Sequence, residues 1–297
     1  MLRVAYVNGR YVPHAEAAVH VEDRGYQFGD GVYEVCEVSG GRLVDERRHI
    51  ARLDRSLAEL RIRWPMTPAA LGVVLREVVR RNRVVDGLVY LQVTRGVAPR
   101  DHAFPVAAVS PALVVTAKSI PIASRDARAA EGVAVITVPD NRWARVDIKT
   151  IALLPNVLAK QMAHEAGAFE AWFVDREGFV TEGASTNAWI VSADGGLVTR
   201  PAETGILRGV TRTVLLDVAA GEGLRLEERR FSVAEALAAR EAFLTSATTA
   251  VTPIVRIDGK NVGNGRPGPL ANRLRPALRA AAETAPAWSS PLSQPDI

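Results

Sequence analysis

Lysine is nearly absent from this chain. Of its 37 basic residues only Lys118, Lys149, Lys160 and Lys260 are lysines, and the other 33 are arginines. Cysteine is rarer still: Cys36 stands alone, which excludes an internal disulfide framework and a cysteine-rich zinc site. No apolar run approaches the roughly 18 residues that a spanning helix needs. The opening MLRVAYVNGR alternates like a strand and lacks the apolar stretch of a secretory signal. There is no P-loop, no HExxH and no GxSxG, and the five histidines are scattered rather than spaced as ligands. The expectation is a soluble cytoplasmic protein that holds no metal and does not enter a membrane.

What is present is ordinary in amount. The 297 residues are 48% hydrophobic and 24% charged, enough for one large domain or two medium ones, each with its own core. The net charge of +4 raises nucleic acid as a partner, but such binding needs basic residues gathered on one face. Here the arginines are mixed with 33 acids along the whole chain. No nucleic-acid partner is expected.

The first third reads as strands, two helices and further strands, an α+β arrangement. Val4–Val7 and Arg10–Val12 flank Asn8-Gly9, a type I′ hairpin signal. Ile50, Leu53, Leu57 and Leu60 recur at helical spacing, and Thr67-Pro68 opens a second helix. Residues 118–131 show no clear period and read as a linker. Beyond them strand and helix patterns mix as far as a last helix near 269–282, and a Pro/Ser-rich tail follows from Pro286. The expected division is an N-terminal α+β domain over 1–118, a linker over 119–131, a larger C-terminal mixed β domain with flanking helices over 132–284, and a tail over 285–297. The string Gly263-Asn-Gly265-Arg-Pro-Gly268 matches GxGxxG, but it lies too near the C-terminus for a following βαβ unit and reads as a loop.

Four segments carry polar residues in unusual contexts. Lys149 sits in an apolar stretch just before Pro155-Asn156 opens a helix. A lysine against apolar surface has its neutral, nucleophilic form favoured; the plainer reading is a lysine snorkelling from a strand end. Lys118 and Lys260 fall in a linker and a turn, and Lys160 on a helix surface. Glu182 precedes Gly183, Ala184, Ser185 and Thr186 between two strands, either a ligand-facing loop or an irregular turn. Gly205 to Arg212 runs into a helix start whose amides and Thr211 hydroxyl suit a phosphate, or an ordinary cap. Phe243 to Thr249 is a second run of small residues and hydroxyls. A lone lysine, a carboxylate and a phosphate site together suggest pyridoxal 5′-phosphate.

At this point the chain resembles the fold-type IV pyridoxal-phosphate aminotransferases, and among them the D-amino-acid aminotransferases most. The likeness runs from about Val7 to Lys260. It is strongest in Glu22 to Glu34, Leu91 to Gly96, Asp147-Ile-Lys149 with Leu158-Ala-Lys-Gln, Val180-Thr-Glu182-Gly, and Ile206 to Arg212. The resemblance implies a two-domain homodimer with an active site shared across the interface, and Lys149 as the catalytic Schiff-base lysine. It implies Glu182 as partner of the pyridine nitrogen, Leu207 against the ring, and Arg52, Val210, Thr211, Ser246 and Ala247 around the phosphate. Ala247 stands where the family usually has threonine, which leaves only a backbone contact there. Arg142 falls in the network beside the cofactor. Tyr33, Arg100 and His102 match a trap for the substrate's α-carboxylate, in which arginine supplies a fork and tyrosine and histidine add donors.

The activity so implied is ping-pong transfer of an amino group from a D-amino acid such as D-alanine to a 2-oxo acid such as 2-oxoglutarate or pyruvate. Alternatives on the same fold are an (R)-amine or dual-specificity transaminase, a branched-chain L-amino-acid aminotransferase and an aminodeoxychorismate lyase. A non-catalytic arginine-rich binding protein is the alternative of a different class.

Overall fold

The computed structural model describes residues 3–203 and 205–285. The chain divides into two compact units. Among the described residues, the first holds those from Arg3 to Pro121, Thr150–Ala152 and 283–285, and the second those within Ile122–Lys149 and Leu153–Ala282.

The first unit is built on six strands: β1 (Val4–Val7), β2 (Arg10–Pro13), β3 (Gly31–Ser39), β4 (Arg42–Leu43), β5 (Gly87–Thr94) and β6 (Ala112–Ser119), in the order β2-β1-β6-β5-β3-β4. Every pairing in it is antiparallel. Buried and half-buried residues alternate along β3 and β5, as a sheet with one covered face requires. Cys36 pairs with Val89 and Glu34 with Leu91, so a carboxylate takes a place in an otherwise apolar row.

Its helices are α1 (Arg24–Phe28), α2 (Glu46–Glu59) and α3 (Pro68–Arg81). The Thr67 side chain caps α3 by accepting from the Ala70 amide, and Pro68 takes the first turn, where no N–H is needed. Leu53 and Leu57 of α2 and Leu71, Leu75 and Val78 of α3 are buried, and the two helices pack on β3 and on β6. Thr150 pairs with Val32 and the Ile151 amide donates to the Gly31 carbonyl, so this triplet extends the first unit's sheet. Of the expected tail only Ala285 is described, its amide on the Leu43 carbonyl; the run from Pro286 lies outside the described residues.

The second unit opens with a correction. Residues 119–131, read as an aperiodic linker, contain the helix α4 (Ile122–Glu131). Its pattern hides because one of its two buried positions is Arg125, four residues before the buried Ala129. Its alanines favour helix, and Asp126 on it receives Arg275 and Arg279 at 2.8 and 2.6 Å. Lys118, expected in that linker, is on β6 instead.

The remaining strands are β7 (Val133–Pro139), β8 (Glu170–Val174), β9 (Val180–Gly183), β10 (Asn187–Val191), β11 (Leu197–Thr199), β12 (Leu226–Glu228), β13 (Glu241–Ser246), β14 (Ala250–Ile257) and β15 (Lys260–Asn261). They form one sheet in the order β12-β11-β10-β13-β14-β7-β8-β9, with β15 on β14. The pairs β7–β8, β7–β14 and β11–β12 are parallel and the rest antiparallel.

Four helices, α5 (Leu154–Glu165), α6 (Val210–Gly221), α7 (Val233–Ala238) and α8 (Pro269–Ala281), cover this sheet. Ala188 and Ile190 of β10 join a core with Trp172, Phe231 and Ala236, while Trp189 and Val191 join another with Phe243, Leu215 of α6 and Leu274 of α8. Both faces are thus covered, which is why these strands read as nearly continuous apolar runs. Gly263 to Gly268 is a loop, as expected. Gly268 caps α8, and there the Leu270 and Ala271 amides donate to the Glu241 carboxylate, each at 2.9 Å. A Cβ on Gly268 would lie 2.0 Å from Glu241 Cδ.

No helix among the described residues is long and apolar enough to cross a membrane, and no group of three metal-ligating side chains is found among them.

Candidate active site

Glu182 is the centre of the second unit's polar interior. The sequence places it in a loop; the structure corrects this, for Glu182 lies within β9 and the turn comes after it, at 184–186. Of the small residues that suggested a loop, Gly183, Ala184 and Thr186 are buried, and a Cβ on Gly183 would lie 2.1 Å from Thr186 Oγ1. Glu182 is 5% exposed, and its carboxylate accepts from three residues. Arg142 Nη1 donates to its Oε1 at 2.5 Å, Asn187 Nδ2 to its Oε2 at 3.0 Å, and the Leu207 amide to both oxygens at 3.2 and 3.1 Å.

A wider net holds those donors. Asp140 clamps Arg142 from the other side, with its Oδ1 and Oδ2 at 2.9 and 2.8 Å from Nε and Nη2. Thr181 Oγ1 donates to Asp140 at 2.7 Å, and the Arg142 guanidinium lies 4.4 Å from the centre of the Phe173 ring. Asn187 Nδ2 also donates to the Leu207 carbonyl at 3.0 Å, so Leu207 is tied at both its N–H and its C=O. The Asn187 oxygen fills the space where a Cβ on Gly209 would come, 2.0 Å away. The structure therefore brings Glu182, Arg142 and Leu207 together directly. It adds Asp140 and Asn187, which the sequence reading missed; nothing in the string Ser185-Thr186-Asn187 separates a buried amide from a turn residue.

Burial holds the Glu182 carboxyl above its ordinary value, against the opposing pull of Arg142. Asp140 moves the other way: burial would raise it, but hydrogen bonds and charge from Arg142 and Thr181 bring it below its ordinary value. Two acids share one guanidinium here. A protonated ring nitrogen beside Glu182 would add a positive charge that favours its ionised form.

The remaining expected residues of this unit lie at two turns. Val210 and Thr211 open α6, whose cap, Gly209, offers its amides no side-chain acceptor. Such an end draws an anion. Ser246 ends β13, and Ala247 lies in the three-residue turn before β14. Ser246 Oγ is 2.8 Å from Thr249 Oγ1 and 3.2 Å from Thr248 Oγ1, so hydroxyls gather around the position where the chain carries alanine. From behind, Arg275 Nη1 donates to the carbonyls of Thr249 and Val251 at 2.7 and 2.5 Å. The donors present, helix-end amides and clustered hydroxyls, fit a phosphate.

Lys149 is half-buried, between a turn over 144–148 and the triplet 150–152. Before it, Ile148 is buried and Asp147 is held by Arg145 at 2.9 and 3.0 Å. Lys160, expected on the surface, keeps 38% of its side chain exposed while its Nζ lies 2.7 Å from the Phe169 carbonyl and over the Phe169 ring.

The first unit carries Arg52, Tyr33, Arg100 and His102. Arg52 on α2 donates to Glu34 Oε1 and Oε2 at 2.7 and 2.8 Å, and His49 Nδ1 is 2.8 Å from the same carboxylate. Burial alone would raise the Glu34 carboxyl, but the charge and hydrogen bonds of Arg52, with His49, hold it well below its ordinary value. Glu34 and His49 are further residues that sequence reasoning missed; the alternation of β3 marks Glu34 as inward-facing but does not say what meets it. Tyr33 packs on Tyr90, ring centres 5.7 Å apart, and burial pushes the Tyr90 hydroxyl up to about 12. Arg100 and His102 are exposed, and both lie beside the Phe28 ring, at 4.7 and 5.5 Å.

Comparison with known proteins agrees over nearly the full length. The chain is 45% identical to a D-alanine aminotransferase from Bacillus licheniformis over 272 residues, covering 92% of this chain and 94% of that one. It is 40% identical to a D-alanine aminotransferase from Staphylococcus haemolyticus, over 91% and 94% of the two chains. A solved branched-chain aminotransferase from the thermophilic archaeon Thermoproteus uzoniensis, with norvaline, superposes at a TM-score of 0.81 and 27% identity, covering 94% of each chain. The family model for amino-transferase class IV matches residues 31–257, and with these relatives it shows that the chain belongs to the class IV aminotransferases, which use pyridoxal 5′-phosphate.

Proposed function

We propose that this protein is a D-amino-acid transaminase that moves the amino group of a D-amino acid such as D-alanine to a 2-oxo acid such as 2-oxoglutarate, by a ping-pong cycle in a homodimer. The observation that carries the chemistry is the buried Glu182 carboxylate, held by an Arg142 guanidinium that Asp140 grips from its other edge. The substrate class is supported by the 45% identity to a D-alanine aminotransferase.

Pyridoxal 5′-phosphate, when bound, supplies an aldehyde that takes up the amino group and a ring that draws electrons from the substrate's α-carbon. Lys149 would hold it at the aldehyde, and its Nζ would move the proton at the substrate α-carbon. Glu182 stabilises positive charge at the ring nitrogen, held in place by Arg142, Asn187 and the Leu207 amide. Leu207 supplies an apolar side chain to the ring. Val210, Thr211, Ser246, the Ala247 amide and Arg52 bind the phosphate, through helix-end amides, a hydroxyl and a guanidinium. Tyr33, Arg100 and His102 bind the substrate's α-carboxylate.

The test is a substrate panel on the purified protein: D-alanine, L-leucine and an (R)-amine without a carboxylate, each with 2-oxoglutarate. Pyruvate from D-alanine, together with visible absorbance from the bound cofactor, is the expected result. Turnover of L-leucine without D-alanine, or turnover that persists without cofactor, defeats the reading.

A further inference from the structure

The segment that carries Arg100 and His102 is held by a residue to which neither the family resemblance nor the relatives give a role. Arg24, on α1, is 2% exposed. Its Nε donates to Asp30 Oδ2 at 2.8 Å, which anchors the guanidinium. The same guanidinium then reaches two carbonyls of the segment: Nη1 donates to Asp101 at 2.6 Å and Nη2 to His102 at 3.3 Å. The Arg24 amide donates to the Gly96 carbonyl at 2.9 Å, so one residue grips the segment near its start and again at its reactive part.

The anchor is itself fixed. Asp30 also receives Arg95, at 2.7 and 3.0 Å, and Arg95 donates onward to the carbonyls of Arg61 and Leu60. The Phe28 ring then gathers two arginines and a histidine. Arg24 lies 4.8 Å from its centre, Arg100 4.7 Å and His102 5.5 Å. A guanidinium over a ring face keeps its charge while losing lateral freedom. Both exposed side chains thus share a platform with the buried arginine that holds the backbone at Asp101 and His102.

We propose that Arg24, with the Phe28 ring beneath it, is the positioning residue for the substrate-carboxylate trap, setting where Arg100 and His102 stand without touching the substrate itself. This rests on the reading that Arg100 and His102 bind that carboxylate. A planar five-donor fork is required, because one group must satisfy a carboxylate and two carbonyls in fixed directions. Lysine at this place keeps the charge but cannot reach all three.

The experiment uses the full-length holoenzyme. Arg24→Lys is expected to raise KM for both D-alanine and 2-oxoglutarate about tenfold, the scale of one charge-assisted hydrogen bond, with kcat within about threefold and the cofactor absorbance unchanged. On a background that carries both Arg100→Ala and His102→Ala the same substitution is expected to add no further rise, because its effect passes through those two side chains. A purely structural role predicts losses that multiply. Phe28→Leu, which leaves the ion pair intact, is expected to raise KM in the same selective way and serves if Arg24→Lys does not fold. Unchanged KM in either variant, or multiplicative losses when Arg24→Lys is added to Arg100→Ala with His102→Ala, overturns the proposal. A wild-type enzyme that does not turn over D-alanine defeats the functional reading instead.

Discussion

Arg52 closes two hydrogen bonds on the single carboxylate of Glu34, at 2.7 and 2.8 Å, with Glu34 only 1% exposed. This pair makes a stability prediction with a definite sign. The Glu34 carboxyl is depressed in the folded protein, so below the usual glutamate value of 4.5 the unfolded chain binds the proton first. The contribution of Glu34 is present above that value and is lost as pH falls from it toward the lower folded value. Glu34→Gln should cost about 3–5 kcal/mol near neutral pH, because it removes the buried carboxylate that accepts two hydrogen bonds from Arg52. Below pH 4.5 the gap to the wild type should close. Thermal unfolding across that range checks both statements.

Lys149→Ala should leave the fold intact and lower transamination of D-alanine by more than about a thousandfold, since nucleophile and proton carrier go together. Loss of the visible absorbance should accompany it. A variant that keeps its turnover would remove Lys149 from the reaction.

Glu182→Gln keeps shape and removes charge. Without the Glu182 charge the site no longer stabilises an added positive charge, and kcat should fall by about a hundredfold or more. Asn187→Ala removes one donor to Glu182 and the tie to the Leu207 carbonyl. It should lower kcat by about tenfold, the scale of one hydrogen bond to a charged group. Equal effects of the two variants would mean that position, not charge, is what Glu182 contributes.

Arg100→Ala should raise KM for D-alanine by about 10- to 100-fold, the range for a charge-assisted pair to carboxylate. An (R)-amine without a carboxylate should be unaffected. Parallel loss on both substrates would place Arg100 outside the trap.

Much of this architecture is legible in the sequence where one kind of signal dominates. Leu53 and Leu57 lie on the buried face of α2, and Thr67-Pro68 opens α3 where the cap rule puts it. The rarity of lysine singles out Lys149 before any family is considered. Legibility fails where a polar side chain does the work of an apolar one. Arg125 buries a face of α4 that periodicity does not register as apolar, so a helix reads as a linker. Glu182 hides a strand for the same reason, for a carboxylate in a run of small residues looks like a turn until its donors are seen. Two of those donors, Arg142 and Leu207, lie 40 and 25 positions from Glu182, and Asn187, five positions on, reads as a turn residue. Arg24, likewise, sits in a strong motif, yet its two carbonyl partners lie 77 and 78 positions away.

The loop from Gly263 to Gly268 has its own sequel. Its last glycine leaves room at the start of α8 for an anion, and the anion is Glu241, taken from the neighbouring strand. A pattern of glycines known for receiving phosphates is here saturated by a carboxylate of the same polypeptide. The motif records a vacancy for negative charge and not who fills it. In this protein the tenant is permanent, and Glu241→Gln should show it as a loss of helix-end stability rather than as a gain of nucleotide binding.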